Sequence, residues 1–212
     1  MKKYLLVLAA ATVATPALAQ DDAPTFTGPR AEIRAGFDSA NVKVAASDGT
    51  DTIRFNRSKD GVSYGGELGY DYGLGSQLTV GAYAGVEGAS TKYCSSIVGN
   101  DQACLKEGRT FTVGGRLGFK LENTPALFYA KGGYANTRAH ADYTGATNFD
   151  LAHNFSGYQV GGGAEVALNK HVYGKVEYTY SQYKKFDDVD GTDSLNLRLG
   201  RNQATVGVGY RF

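Results

Sequence analysis

Two cysteines and three histidines are the side chains of this chain whose types suggest site chemistry. Cys94 and Cys104 are separated by nine residues of one polar stretch. In an exported protein this pair predicts a disulfide, which would stabilise the segment by about 2 to 3 kcal/mol if its effect is mainly on chain entropy. The alternative is two free thiols, since the stretch offers no further metal ligands.

The histidines are His140, His153 and His171, and all three fall in polar connecting segments. A hydrolytic triad needs a histidine close to a serine and a carboxylate on a rigid wall, and these positions do not supply one. Neighbouring aspartates, Asp142 and Asp150, would bind a metal only weakly beside them. We therefore expect no catalytic residue, no cofactor and no metal site.

A third group of chemically active residues is a set of charges that recur at every second position. Alternate residues of an extended strand lie on one face. These charges therefore lie on the same strand faces as many of the glycines. The charges predicted to lie together are Glu32, Arg34, Glu67, Asp71, Arg116, Lys131, Glu165, Lys175 and Glu177. Asp38, Glu87, Arg109, Lys120 and Arg211 are assigned to the same faces. Seven acidic residues then balance seven basic ones, as expected where charges leave water and must pair.

The elements that position these residues follow a leader. Residues 1–19 predict a signal peptide: Lys2 and Lys3 precede an apolar run, and Ala17-Leu18-Ala19 supplies the small residues of a cleavage site. Residues 20–30 are polar, contain two prolines and predict a short periplasmic lead-in. Export from a bacterial-type cell follows from this arrangement.

Residues 31–212 show the period-2 alternation of strands. The final stretch is typical, because Ala204, Val206, Val208, Tyr210 and Phe212 alternate with polar or small residues. Glycine is frequent, with 29 residues against 4 prolines, and 15 tyrosines and 10 phenylalanines accompany it. Eight strands are predicted, at about 31–38, 62–72, 77–87, 110–120, 126–138, 158–168, 172–180 and 203–212.

The connections between these strands alternate in length. Long polar segments at about 39–61, 88–108, 139–156 and 184–200 alternate with short turns. This pattern is typical of outer-membrane barrels, in which short turns and both termini lie on the periplasmic side. The predicted fold is all-β, an eight-stranded antiparallel up-and-down transmembrane β-barrel over residues 31–212, with four long extracellular loops.

A soluble barrel with its apolar face inward is the alternative fold. Glycine on the polar faces argues against it, because glycine contributes little on a solvated surface but leaves room inside a narrow barrel. The balanced charges and the aromatic end of the chain argue in the same direction. The charged face is therefore predicted to point inward and the apolar face to meet lipid.

The inward charges could line a pore or form a paired plug. An eight-stranded barrel is barely wide enough for its own side chains, which favours the plug.

Four segments carry a resemblance to a known family: Ala130-Lys-Gly-Gly-Tyr134, residues 158–165 (Tyr-Gln-Val-Gly-Gly-Gly-Ala-Glu), Lys175-Val-Glu-Tyr178 and residues 206–212 (Val-Gly-Val-Gly-Tyr-Arg-Phe). With them the chain resembles the opacity-protein family of small outer-membrane β-barrels, the surface antigens of Gram-negative bacteria. The resemblance implies an eight-stranded barrel. It also implies an assembly signal, read by the barrel assembly machinery, at Thr205, Gly207, Tyr210 and Phe212.

The functional prediction follows from the fold and the resemblance. We expect a non-enzymatic protein of the Gram-negative outer membrane, a monomer that contributes to envelope integrity and to surface or host interaction through its loops. Its expected partners are outer-membrane lipid and lipopolysaccharide, the assembly machinery and a surface ligand. A narrow porin-like channel is the alternative. The formal charge of +1 and the absence of a basic stripe predict no nucleic-acid partner.

Overall fold

The computed structural model describes residues 26–47, 52–90, 92–96, 102–144, 149–190 and 193–212. These residues form nine strands: β1 (Gly28–Ser47), β2 (Thr52–Leu74), β3 (Leu78–Ala89), β4 (Lys92–Ser96), β5 (Gln102–Lys120), β6 (Ala126–Thr144), β7 (Phe149–Ala167), β8 (Val172–Asp190) and β9 (Asp193–Arg211). None of them lies in a helix long and apolar enough to cross a membrane.

The nine strands make a closed barrel with eight strand positions. β3 and β4 follow each other along the same neighbour, because β3 pairs with residues 110–119 of β5 and β4 pairs with residues 102–106. Every pairing is antiparallel, and β1 pairs with both β2 and β9. The predicted eight-stranded barrel is confirmed, and the last strand leaves no open edge beside the first.

The register of the strands fixes the shape of the barrel. Directly paired residues can be followed once around the barrel, starting at Arg30 of β1. The path runs through Gly69 and Tyr83 to Arg201 of β9, whose partner on β1 is Ala40, ten residues beyond the start. With strands about 4.8 Å apart and about 3.3 Å per residue, this displacement tilts the strands by about 40° from the axis. The interior of such a barrel has room for side chains and little else.

The two faces of the wall are inverted relative to a soluble protein. Ile33 and Phe37 are 73% and 78% exposed on the outside, whereas Glu32 and Arg34, on either side of Ile33, are each only 5% exposed. The same alternation continues through β2, β3 and β5–β9. A soluble barrel with an apolar interior is therefore the wrong alternative.

Outward aromatic residues mark two levels of the barrel. An upper ring contains Phe37, Tyr64, Phe111, Tyr134 and Tyr158, and a lower ring contains Tyr72, Phe119, Phe128, Tyr210 and Phe212. On β2 and β5 the rings lie eight residues apart, about 20 Å along the axis at the tilt given above. That spacing suits the apolar band of an outer-membrane barrel, about 25 Å tall with aromatic girdles at both edges.

The prediction of four long loops is wrong for most of the residues concerned. The strands continue beyond the upper ring through residues 40–47 and 52–59, 92–96 and 102–107, 139–144 and 149–153, and 184–190 and 193–199, a part we call the distal extension. Polar and charged residues are frequent in this part, and its apolar alternation is confined to short runs such as Leu195, Leu197 and Leu199. These runs were too short to be predicted as strands.

The opposite end of the barrel carries the short turns, and we call it the periplasmic end. β1 begins at Gly28, three residues before the alternation starts at Ala31. Phe26, in the predicted lead-in, is only 3% exposed, and its ring lies 5.5 Å from the guanidinium carbon of Arg211. The segment just before β1 therefore covers the interior at this end. The predicted signal peptide, residues 1–19, lies outside the described residues.

Candidate functional site: the charged barrel interior

The interior contains seven carboxylates and seven cationic side chains among the described residues, each no more than 5% exposed. They are Glu32, Asp38, Glu67, Asp71, Glu87, Glu165 and Glu177, with Arg30, Arg34, Arg116, Lys131, Lys175, Arg201 and Arg211. Twelve of the fourteen charges assigned to the inward faces from the sequence lie in this set. Its net charge is zero, so every charge has a counterion available without water.

A cluster near the periplasmic end is centred on Arg116 of β5. Its guanidinium donates to both carboxylate oxygens of Asp71, at 2.8 and 2.6 Å, and to Glu165 Oε1 at 2.5 Å. Arg211 of β9 donates to the same two carboxylates, each at 3.1 Å. Two arginines and two acids from β2, β5, β7 and β9 thus cross the interior.

A second cluster occupies the middle of the barrel. Lys131 Nζ donates to Glu67 at 2.7 Å and to both oxygens of Glu177 at 3.2 Å. Arg34 Nη1 donates to the same two glutamates at 3.0 and 2.8 Å. Lys175 reaches Glu177 at 3.0 Å. Five charges from four strand positions share one set of contacts at the axis.

Tyrosines join these clusters. Tyr129 donates from its hydroxyl to Glu177 at 2.8 Å, and its ring lies 4.9 Å from the guanidinium carbon of Arg116. Tyr173 donates to Glu32 at 2.9 Å. Cation–π contacts and hydroxyl donors add to the ion pairs, so the periplasmic half of the interior is filled with mutually contacting groups.

The half of the interior nearer the distal extension is less highly charged. Arg201 donates to Asp38 at 2.6 Å, and Glu87 accepts from Arg34 and, at 3.0 Å, from Gln203. Small hydroxyl residues occupy much of the remaining wall, including Ser63, Thr110, Thr112, Thr137, Thr179 and Ser181. The hydroxyl oxygens of Ser63 and Thr112 are buried and have no hydrogen-bond partner among the described residues.

Glycine makes room for the large interior groups. A Cβ on Gly209 would lie 2.1 Å from the ring of Tyr173, and one on Gly69 would lie 2.7 Å from the guanidinium of Arg30. Both glycines stand directly opposite these residues in the neighbouring strand. The interior glycines predicted from the sequence therefore have a steric role.

Two interior arginines were missed, and Arg109 and Lys120, which were assigned to the inward faces, are not among the buried charges. Arg30 and Arg201 are 2% and 3% exposed, each just beyond a predicted strand end. Extending the alternation by two residues from Glu32, or back from Gln203, would have found them. Arg109 lies outside at an irregularity of β5, and Lys120 is only partly buried at the periplasmic rim.

The remaining predicted positions lie apart from this interior. Cys94 and Cys104 are directly paired backbone positions of β4 and β5. His171 is exposed in a periplasmic turn, where its ring stacks 5.4 Å from that of Tyr210, and His140 and His153 have side chains outside those described. Within the described residues no group of three or more His, Cys, Asp or Glu side chains is arranged to hold a metal.

The four residues of the predicted assembly signal divide between the faces of β9. Thr205 and Gly207 belong to the inward face, whereas Tyr210 and Phe212 are exposed on the outside in the lower ring, with their rings 5.0 Å apart. Phe212 also donates its backbone N–H to the carbonyl of Pro29 at 3.0 Å. The signal strand thus completes the closure beside β1.

Comparison with known proteins places this geometry in context. Residues 5–212 match the family described as the outer membrane protein beta-barrel domain. The 31 kDa outer-membrane immunogenic protein of Brucella melitensis is 28% identical with full coverage of both chains. The 22 kDa outer membrane protein of Rhizobium leguminosarum is 29% identical over 69% of this chain and 72% of its own.

Among solved structures, the outer membrane protease OmpT of Escherichia coli matches with a TM-score of 0.51. The match covers 87% of this chain and 97% of that one at 12% identity, so the likeness concerns the fold alone. The closed barrel, its apolar outer band and the family match over nearly the whole sequence agree. The chain belongs to the outer membrane protein beta-barrel domain family and is an outer-membrane protein of the Gram-negative type.

Proposed function

We propose that this outer-membrane barrel is a closed, non-enzymatic surface protein that reinforces the envelope and presents its distal extension to other surfaces. The observation that carries the proposal is the neutral network of fourteen charges in the interior. Such a network holds the strands in one register and leaves no continuous path for solute through the periplasmic half. Binding is then left to the part that stands outside the membrane.

The distal extension has the dimensions of an interaction surface. On β1 it adds about eight residues beyond the upper ring, or about 20 Å along the axis at the same tilt. Because these strands are paired to their neighbours, the surface is held by backbone hydrogen bonds. Relatives named as immunogenic proteins support a role in surface recognition.

Shortening one hairpin tests this role. Asn41 and Ser58 are directly paired, so a two-residue Asn-Gly turn could replace residues 42–57 without disturbing the register. We expect the shortened protein to fold and reach the outer membrane, while adhesion of expressing cells to host-cell monolayers falls to that of cells lacking the protein. Unchanged adhesion after equal shortening of all four hairpins would contradict the proposed role.

A narrow channel is the second candidate. The observation that favours it is the distal half of the interior, which has fewer ion pairs and more small hydroxyl side chains, such as Ser63 and Thr112, than the periplasmic half. The ion-paired clusters at the middle and the periplasmic end stand between this half and the periplasm, which favours the closed form.

We also propose that Cys94 and Cys104 form a disulfide within the distal extension. Directly opposite residues of an antiparallel pair have Cα atoms about 4.5 to 5.5 Å apart, which is within the range that disulfides span. The bond would tie β4 to β5 at a place where no lipid supports the pairing. The assembly machinery, which would read β9, and outer-membrane lipid complete the proposed partners of a monomeric barrel.

A further inference from the structure

A pair of outward arginines lies just beyond the upper aromatic ring. Arg109 of β5 is exposed, and its guanidinium carbon lies 5.4 Å from the ring centre of Phe111, a member of that ring. Arg138 of β6 neighbours the inward-facing Thr137, so the strand alternation turns Arg138 outward. Both are two to four residues beyond the outward ring members of their own strands, Phe111 and Tyr134.

A β-bulge brings the two arginines together. Glu107 pairs with Ala139 and Thr110 with Thr137, so Gly108 and Arg109 together oppose Arg138 alone. A bulge of this kind redirects a side chain and interrupts the pairing. Here it sets two cationic side chains beside each other on adjacent strands, an arrangement that is unfavourable for like charges unless an anion lies between them.

No protein group among the described residues supplies that anion. Neither guanidinium has an ion pair there, and Arg138 Nε is buried without a hydrogen-bond partner. The described outward neighbours on β6 and β7 are neutral: Asn136 donates to Ser156 Oγ at 3.1 Å, and Tyr134 donates to the same oxygen at 2.6 Å. The two arginines therefore present unused donors in a neutral polar border.

The position of the two arginines along the barrel axis indicates which anion they contact. Aromatic girdles lie at the boundary between hydrocarbon and headgroups, so side chains one step further from the periplasm face the headgroups of the outer leaflet. Guanidinium groups bind phosphate through paired, charge-assisted hydrogen bonds. We propose that Arg109 and Arg138 form a site for a phosphate of lipid A, the phosphorylated glycolipid of the outer leaflet.

The test compares ligands that differ only in phosphate. The folded full-length protein in detergent micelles is mixed with bisphosphorylated lipid A or with lipid A stripped of both phosphates, and bound lipid is counted by native mass spectrometry. We expect the phosphorylated form to bind at least tenfold more tightly. The double variant Arg109→Gln/Arg138→Gln should abolish that preference, since each charged hydrogen bond that is lost lowers affinity by roughly tenfold or more.

Lys170→Gln is the matched control, because Lys170 is an exposed cation at the periplasmic rim. It should leave the preference unchanged, and an equal loss in this variant would overturn the site in favour of general charge attraction. Unchanged binding by the double variant would overturn it as well, and so would an equal arginine dependence toward phosphatidylglycerol. If the double variant fails to give the folded gel mobility, Arg138→Gln alone carries the same comparison.

Discussion

Arg116 illustrates how strongly single interior residues depend on their partners. It holds Asp71 and Glu165 together through hydrogen bonds of 2.5 to 2.8 Å, and all three side chains are almost fully buried. Replacing Arg116 by alanine would leave Glu165 with Arg211, and Asp71 with Arg211 and Arg30. We expect a loss of about 3 to 5 kcal/mol in the free energy of unfolding, measured by urea titration in lipid vesicles.

Arg109→Ala provides the control for that experiment, since it removes the same side chain from the exposed outer face. Its expected effect is within about 0.5 kcal/mol. Equal effects of the two substitutions would mean that the buried clusters contribute no more than a surface charge does.

Glycine offers a second residue-scale prediction. Gly209→Ala would place a methyl group 2.1 Å from the Tyr173 ring, whereas a Cβ at Gly174, on the outer face of the next strand, meets nothing within 4 Å. We expect Gly209→Ala to lower the free energy of unfolding by about 1 to 3 kcal/mol and Gly174→Ala to change it little. Indistinguishable unfolding curves for the two variants would exclude the steric role of the interior glycine.

At this scale the sequence predicted much of the site. Period-2 alternation assigned Glu67, Lys131 and Glu177 to one face because the membrane requires the other face to be apolar. It could not identify which carboxylate meets which cation, since partners such as Arg34 and Glu177 are 143 positions apart. Those pairs depend on the ten-residue displacement of the barrel, which follows from the register of all strands together.

At the scale of elements, β9 has a structural role, and we propose that it also carries the signal read by the assembly machinery. It closes the barrel against β1, and Phe212 remains 71% exposed on the outer face. Because that ring has few contacts to lose, deleting Phe212 should change the stability of the assembled barrel by no more than about 1 kcal/mol. We expect outer-membrane insertion to fall severalfold, measured as the fraction of heat-modifiable protein in membrane fractions.

The control is the stability of the purified variant, which should unfold in detergent close to the wild-type urea concentration. Insertion of the variant in cells at the wild-type level would contradict a role of β9 in assembly.

The pairing of β4 with β5 is consistent with the proposed disulfide between Cys94 and Cys104. Non-reducing peptide mapping should recover one crosslinked peptide that contains both residues. Substitution of both by serine should lower the stability of the distal extension by about 2 to 3 kcal/mol, seen as faster proteolysis of this segment. Complete alkylation of both thiols without reductant would rule the crosslink out.

The elements also show where sequence patterns stop being informative. Within the apolar band every strand was predicted, because lipid on one side and charges on the other impose alternation. Beyond the upper ring the strands of the first hairpin extend to Ser47 and from Thr52. Their pairing is set by continuation of the register from the membrane part, which local composition does not reveal.

The whole molecule is a barrel with two unlike halves. The periplasmic half is filled by ion pairs and covered by Phe26, whereas the distal half is lined with small hydroxyl groups and continues into the paired extension. The ion-paired half blocks the interior, and we therefore propose that the folded barrel is closed.

Electrical recording in planar lipid bilayers tests whether the folded barrel is closed. Folded protein, verified by its heat-dependent gel mobility, is reconstituted and held at increasing voltage in concentrated salt. The ion-paired interior predicts a baseline without stable conductance steps at any protein concentration. Stable, large steps that scale with the amount of folded protein would contradict the closed barrel and establish the narrow channel in its place.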